Sequence, residues 1–439
     1  MMMSGPVSRI FRWWPWMVGL AAGFGAGVAA GDAPFAERAA VCQDRPACRI
    51  VEILDAGTAA DGAVLAVLHV ALGADDQAAD AEGRQCRPYP EDYWLRQVGR
   101  DGKTVYRRLF SFCNDGYGAS GVGEDAVTVG PNRITLDRVG GSAWRWEIGA
   151  SYRLAPEQPL LRREASYHTL GGGCLETETD FQALRQRGWL NPPLAEEAPD
   201  EDATVGCDRE SAVGRFVAIP QLERGDELAA ELEQQSAGLG GCALTLKATG
   251  DGENGFVVHG DPDLRARTEI KLLLLTANTL LAQVRDPGRT PAVSSSWIND
   301  DRLELWLGSA LYGGWPSADR KKQLYQFGIR LADGAVFAGY GKPARLPAVR
   351  HWRRDDARLL LVDWSDTGLE TNSVTVVYGQ GDGRRQGRML ATSTLKYGNP
   401  DTLGQFWTFP AACMLRNGIL NVGELRSETI RMESENTAE

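Results

Sequence analysis

The sequence has little with which to do chemistry. Four histidines serve 439 residues, and no Gly-x-Ser-x-Gly elbow, His-Glu-x-x-His helix or Gly-x-x-x-x-Gly-Lys-Ser/Thr loop occurs. Hydrolysis on a serine elbow, zinc proteolysis of that type and P-loop chemistry are left without a signature. Cys-x-x-Cys is absent too, so neither a zinc ribbon nor a thioredoxin-like pair is indicated. Positive charge is short: 47 Lys and Arg face 58 Asp and Glu, a formal net charge of −11. A chain of that sign suits neutral sugars, cations or a basic protein better than nucleic acid or an anionic bilayer. No internal repeat is visible. A carboxylate pair for glycoside cleavage leaves no local motif, so an enzyme is disfavoured rather than excluded.

Long apolar runs are missing after the first thirty residues. Within them, Arg9 and Arg12 precede an apolar, glycine-rich stretch over 13–28, and Val28-Ala29-Ala30 offers small residues for cleavage. Residues 1–30 read as a secretory signal, with a retained anchor as the alternative. Removing Arg9 and Arg12 takes the charge from −11 to −13, because the segment holds no acid. No membrane association is expected after cleavage, and the location is periplasmic or secreted.

All eight cysteines (Cys42, Cys48, Cys86, Cys113, Cys174, Cys207, Cys242 and Cys413) follow that segment. An even count in an exported chain reads as disulfides. Position suggests that Cys42–Cys48 closes a small N-terminal loop and that Cys242–Cys413 ties the two ends of the second half.

Hydrophobic periodicity reads all-β. An N-terminal antiparallel β-rich domain is expected over 31–190, with strands at 64–70, 93–98, 104–110, 126–129, 133–137, 143–148 and 151–154. Asp101-Gly102 marks a hairpin between the second and third of these. Trp144 and Trp146 share one strand face and are expected to point at the core. A short helix is expected over 180–187, ended by Gly188. The proline-rich acidic stretch within 191–212 reads as a linker, and 226–236 as a helix. A jelly-roll-like β-sandwich is expected over 213–426, and a frayed polar tail over 427–439. Its strands fall at 243–248, 256–259, 268–275, 279–284, 302–307, 324–330, 335–339, 359–364, 374–378 and 388–395. The unbroken apolar run Leu272 to Leu275 marks a strand covered on both faces.

One stretch of the second half combines pattern with polar chemistry. In Ser296 to Gly308, Leu303, Leu305 and Leu307 alternate with Arg302, Glu304 and Trp306. The leucines turn to the core, which leaves an indole and two charges on the other face. Trp306, Glu304 and Arg302, with Trp297 and neighbouring Trp315 or Trp352, are candidates for a sugar platform, since a sugar needs a flat apolar surface and fixed polar groups. The alternative is an indole packed beneath a loop beside a solvated ion pair. Asp300 and Asp301 are candidate calcium ligands, though an Asn-Asp-Asp turn needs no metal. In the first half the glycine-rich loop around Asn114, Asp115, Glu124 and Asp125 is a second candidate for calcium or a ligand, and it lacks EF-hand spacing. His69, in an apolar strand, reads as a satisfied core residue.

The second half resembles carbohydrate-binding module family 9 and the DOMON-like β-sandwiches over about residues 241–409. The residues that carry the resemblance are the strand pair Glu269–Leu275 and Thr279–Asp286, then Trp297 with Asp300-Asp301, then Leu303-Glu304-Leu305-Trp306-Leu307. The resemblance implies non-catalytic recognition of sugars by aromatic side chains, sometimes beside structural calcium. Some DOMON relatives hold haem on axial His or Met, and His259, His351, Met389 and Met414 show no spacing that singles out a pair. The first half is similar to stretches of uncharacterised exported bacterial proteins, which implies no activity. The reading is an exported, non-catalytic protein that binds a glycan or small polar ligand. The alternatives are a secreted hydrolase with its site near Asn114 to Asp125, and an envelope protein–protein interaction factor.

Overall fold

The structure is a computed structural model. It describes residues 35–43, 45–72, 91–112, 124–141, 144–168, 174–191, 209, 212, 214–222, 231, 238–247, 254–263, 265, 267–308, 324–369, 373–394, 406–408, 411–417 and 419–425. The expected signal, the tail, most of the linker, the 226–236 helix apart from Glu231, and Trp315 lie outside these residues. So do Asn114, Asp115, Cys86, Cys113 and Cys207.

The chain is all-β, built from several mainly antiparallel sheets. After a helix, α1 (Phe35–Cys42), come β1 (Arg49–Thr58), β2 (Val64–Ala71), β3 (Glu91–Val98) and β4 (Thr104–Phe112), a meander in the order β1-β2-β3-β4. A second meander follows: β5 (Glu124–Gly130), β6 (Arg133–Gly141), β7 (Trp144–Leu154), β8 (Glu157–His168), β9 (Cys174–Asp180), β10 (Arg185–Asn191) and β11 (Gly214–Val217), paired in chain order. The two sheets share a core in which Leu65, Val67 and Leu95 meet Ile134, Leu136 and Tyr152. The outer face of the first sheet is covered separately: Leu68 and Val70 pack with Val41 of α1 and the Cys42–Cys48 loop.

Asp101-Gly102 turns β3 into β4 as expected. Gly102 takes φ +78°, and Gly99 and Lys103 close the turn with a backbone hydrogen bond of 2.9 Å. The expected helix at 180–187 is replaced by the hairpin of β9 and β10. Asp180 Oδ1 accepts the amides of Gln182 and Ala183 at 2.9 Å each, and Leu184 enters the left-handed region at φ +51°. The carboxylate thus satisfies a turn, and pairing across the sheet overrides the helical propensity of the residues that follow. The expected breaks at 149–150 are also missing, since Gly149 continues the ladder of β7. Trp146 is half-buried at the margin of the shared core rather than within it.

β11 belongs to the first-half sheet although it follows the expected linker. One residue beyond it the chain enters the second half as β12 (Ile219–Gln221). Arg209, within the expected linker, is bound to the seven-stranded sheet through Glu176 at 2.6 Å and Glu178 at 2.8 Å.

The second half continues with β13 (Gly238–Leu239), β14 (Leu244–Lys247), β15 (Phe256–His259), β16 (Glu269–Thr276), β17 (Thr279–Arg285), β18 (Arg302–Gly308), β19 (Leu324–Arg330) and β20 (Val336–Tyr340). Then come β21 (Ala348–Arg354), β22 (Ala357–Asp363), β23 (Ser373–Gly381), β24 (Gln386–Ala391), β25 (Phe406–Thr408), β26 (Ala411–Arg416) and β27 (Ile419–Leu425). The back sheet runs β21-β22-β17-β16-β12-β25, with β14 also on β16, and the front sheet runs β15-β24-β23-β18-β19-β20. Between them lies the main core, where Leu272, Leu274, Leu280 and Val362 face Leu303, Leu305, Leu307, Phe327 and Val376. On the far side of the back sheet, Leu273, Leu275 and Leu281 pack against Leu239 and Leu420 of the small sheet β13-β27-β26. Leu272 to Leu275 is therefore buried on both faces, with no residue above 1% exposure.

Both expected disulfides are formed, and Cys174 is bonded as well. Cys242–Cys413 spans 171 residues and clips the small sheet to the back sheet, whereas Cys42–Cys48 spans 6. Loop-closure entropy makes the long clip worth about 5 kcal/mol and the short one about 2. Replacing Cys242 and Cys413 by Ser should lower stability by about 3–5 kcal/mol in urea titrations. The Cys42/Cys48 double replacement should lower it by less than half of that, and equal losses would contradict the clip.

Candidate functional site

β18 is organised by alternation and by neighbours on both sides. It pairs with β19 and with β23, so all its backbone groups lie inside a sheet. Leu303, Leu305 and Leu307 turn into the sandwich core, each at 0% exposure. Arg302, Glu304 and Trp306 turn to the front face, as their parity requires. That face is not open at this strand. Arg302 is 1% exposed, Glu304 3% and Trp306 6%.

Burial of two charges demands that every hydrogen-bonding position be used. Glu304 Oε1 accepts Arg302 Nε at 2.7 Å and Nη2 at 2.6 Å. Its Oε2 accepts the Gln326 side-chain amide at 2.9 Å and the Trp306 indole N–H at 3.3 Å. Arg302 Nη1 donates to the Asp300 carbonyl at 3.3 Å, and Nη2 points at Met389 Sδ, 3.9 Å away. The Trp306 ring packs with Leu324, Val377, Met389 and Ala391. Both readings of Trp306 thus need correction: it lies neither on a bare platform nor beside a solvated ion pair. It is the apolar margin of a closed charge network.

Gly379 makes room for this network. A Cβ there would come within 2.7 Å of the Arg302 guanidinium. Gly328 does the same for Trp297, where a Cβ would come within 2.2 Å of the indole. Trp297 opens a short 3-10 turn, Trp297–Asn299, and lies half-buried over the front sheet. Its ring stands near-parallel to Phe337 of β20, with centroids 6.3 Å apart and planes inclined by 10°. The Arg302 guanidinium lies 5.7 Å from its centroid, within cation–π range. Phe337 is half-buried as well, and Ala338, Gly339 and Tyr340 beside it are exposed.

Asp301 has a structural task. Arg289 Nη2 and the Gly381 amide each donate to its Oδ1 at 3.0 Å, and the Ala292 amide donates to Oδ2 at 2.9 Å. One carboxylate therefore pins the segment before Trp297 and the end of β23. Asp300 is 0% exposed, and neither carboxylate oxygen accepts a hydrogen bond from a described residue. Its ionic neighbour is Arg330, at 3.5 Å, which is itself gripped by Asp333 at 2.9 and 2.7 Å. At Asp301 an arginine stands where the calcium reading puts a metal. Asp301 is already neutralised, a guanidinium stands beside Asp300, and among the described residues no three His, Cys, Asp or Glu side chains gather to hold a metal.

Of the first-half candidates, Glu124 opens β5 and Asp125 follows it. Asp125 accepts Arg138 Nε at 2.8 Å, and that guanidinium lies over Phe112 and Trp146 at 5.4 and 5.8 Å. Trp352, on β21, packs at the far side of the back sheet and is remote from the front face. Gln326 and Phe337 were missed by sequence reasoning. Gln326 shares its face of β19 with Gly328 and Arg330, and the polar–glycine–cation alternation in Gln326-Phe327-Gly328-Ile329-Arg330 is the signal that marks it.

No protein-family model matches the sequence, and no curated protein matches it. Among solved structures, the chain is similar to a family 9 carbohydrate-binding module from Caldicellulosiruptor kristjanssonii in complex with glucose. That likeness has 15% identity over 33% of this chain and 78% of that one, with a TM-score of 0.25. The module in complex with cellotriose gives 14% identity, 35% and 83% coverage, and a TM-score of 0.25. A likeness this slight does not bear on what the chain binds.

The closed network predicts a specific mutational pattern. Glu304→Ala strands a buried guanidinium and should cost about 3–5 kcal/mol in denaturant unfolding. Replacing both charges with apolar residues, Arg302→Met with Glu304→Leu, should restore most of that loss. A double variant weaker than Glu304→Ala would contradict this account.

Proposed function

We propose that the protein is an exported, non-catalytic binding protein that takes a carbohydrate, or a small polar ligand of similar shape, on the front face of its second-half sandwich. The observation that carries this reading is the near-parallel pair Trp297 and Phe337, both half-buried, beside exposed Tyr340. A sugar offers an apolar C–H face and a rim of hydroxyls, so it needs flat rings and fixed polar groups together. In this reading Trp297 and Phe337 form the flat surface. The polar groups beside it are the partly exposed Gln326, whose amide is oriented by Glu304, and Arg330, whose guanidinium lies 5.4 Å from the Phe337 centroid.

Arg302, Glu304 and Trp306 then act one layer below the ligand. The guanidinium under Trp297 fixes the indole, and Glu304 fixes the guanidinium. The network favours recognition over bond cleavage, because Glu304 spends both oxygens on four donor contacts and has none to spare for proton transfer. Export is supported by the disulfides. No helix among the described residues is long and apolar enough to cross a membrane.

A glycan array probed with wild type, Trp297→Ala, Phe337→Ala and Trp306→Phe tests this assignment. Wild type should bind, and the two shelf variants should bind at least about tenfold more weakly, the scale of one lost stacking contact. Trp306→Phe should keep most of the affinity. Binding by no glycan, or equal binding by wild type and Trp297→Ala, would overturn it.

A further inference from the structure

One margin of the second-half sandwich is closed over a histidine. In register, His351 of β21 stands opposite Leu360 of β22, and that row continues through Ala282 of β17 to Leu272 of β16. Directly opposed residues share a face, and Leu360, Ala282 and Leu272 all belong to the main core. His351 therefore points between the two sheets, at the edge of the back one. Two residues away on the same face of β21 lie Val349, packed against the core, and Arg353, which stands opposite Arg358 of β22.

The front sheet reaches this margin through the turn that joins β19 to β20. Gly334 takes φ +75° there, and a Cβ on it would come within 2.9 Å of the His351 Cβ and 3.6 Å of the Val349 side chain. The turn rests directly on the histidine. It is held together by two backbone bonds of 2.9 Å, from the Gly334 amide to the Arg330 carbonyl and from the Arg330 amide to the Ala335 carbonyl. Beneath it the imidazole Nε2 is buried with no hydrogen-bond partner among the described residues.

The charges around the ring are uneven. Among the described residues they are Arg353 on its own strand, Arg358 on β22, and Arg330 and Asp333 of the turn. The single carboxylate is already engaged, since Arg330 donates to Asp333 at 2.9 and 2.7 Å. Burial and the Arg358 charge hold the imidazole below the usual histidine range, with Asp333 opposing them.

We infer that this margin is an acid-sensitive latch: the β19–β20 turn stays seated on β21 while His351 is neutral, and lifts when His351 takes up a proton. A proton on the closed imidazole is a cation without a hydrogen-bond acceptor, placed among guanidinium groups, whereas opening the turn lets water solvate it. The closed form thus binds fewer protons than the open form. Closure is fully favoured above about pH 6.5 and loses ground as the pH falls below that value. Arg330 belongs to this turn and lies 5.4 Å from the Phe337 centroid, so opening would also loosen one side of the aromatic shelf. That consequence rests on the proposed ligand face, and the latch itself does not.

Hydrogen exchange of the full chain at about pH 7.5 and about pH 5, corrected for intrinsic rates, tests the inference without any ligand. Opening of the segment Leu331 to Val336 should be at least about fivefold more populated at the lower pH. The central amides of Leu272 to Leu275 should stay protected at both. His351→Gln, neutral throughout, should remove the response of the turn, and Arg358→Gln should shrink it. NMR titration should place the His351 imidazole below about 6.5. Equal protection of the wild-type turn at both values, a response retained by His351→Gln, core amides opening together with the turn, or an imidazole titrating at or above the ordinary value would overturn the latch. Because exchange reads the turn and not a bound sugar, a failed glycan test leaves this result standing.

Discussion

The contact between Arg302 and Glu304 governs the front of the molecule. Taking each charge out of water costs several kcal/mol, and their attraction offsets that only when the remaining donors and acceptors are satisfied. Here Gln326, Trp306 and the Asp300 carbonyl complete the set. The consequence is positional more than energetic. A fixed guanidinium sits over Gly379 and under Trp297, so the indole has one seat, with Gly328 giving it room. Asp301 adds a second restraint by anchoring the segment that leads into Trp297.

Much of the scaffold was legible because it follows from local rules. The even-spaced leucines of β18 required one inward face, and the run Leu272 to Leu275 required cover on both. Asp101-Gly102 marked a turn by local chemistry, with Gly102 at positive φ and the Asp101 carboxylate accepting the Lys103 amide. The helix expected at 180–187 failed for a non-local reason: a strand partner outcompetes propensity, and Asp180 finds amides within the turn.

The candidate site was legible only in part, and the missing part has a physical cause. Parity states which side chains share the far face of β18, but not whether that face is covered. Cover comes from Met389, Leu324 and Val377, which are distant in sequence and close only after the sheet has formed. Trp297 was named as a candidate from its place before β18, whereas its ring partner Phe337 lies in an edge strand with no such signal. In the first half, His69 was read as a satisfied core residue; it bonds Glu91 but is half-buried rather than in the core.

The central claim is a division of labour between two tryptophans, Trp297 in contact with ligand and Trp306 in support. Two-dimensional NMR of the indole N–H groups, titrated with an array-positive oligosaccharide, tests it directly. The Trp297 resonance should move with ligand concentration while that of Trp306, bonded to Glu304, stays nearly fixed. A shift confined to Trp306, or a saturating ligand that moves neither, would contradict the account.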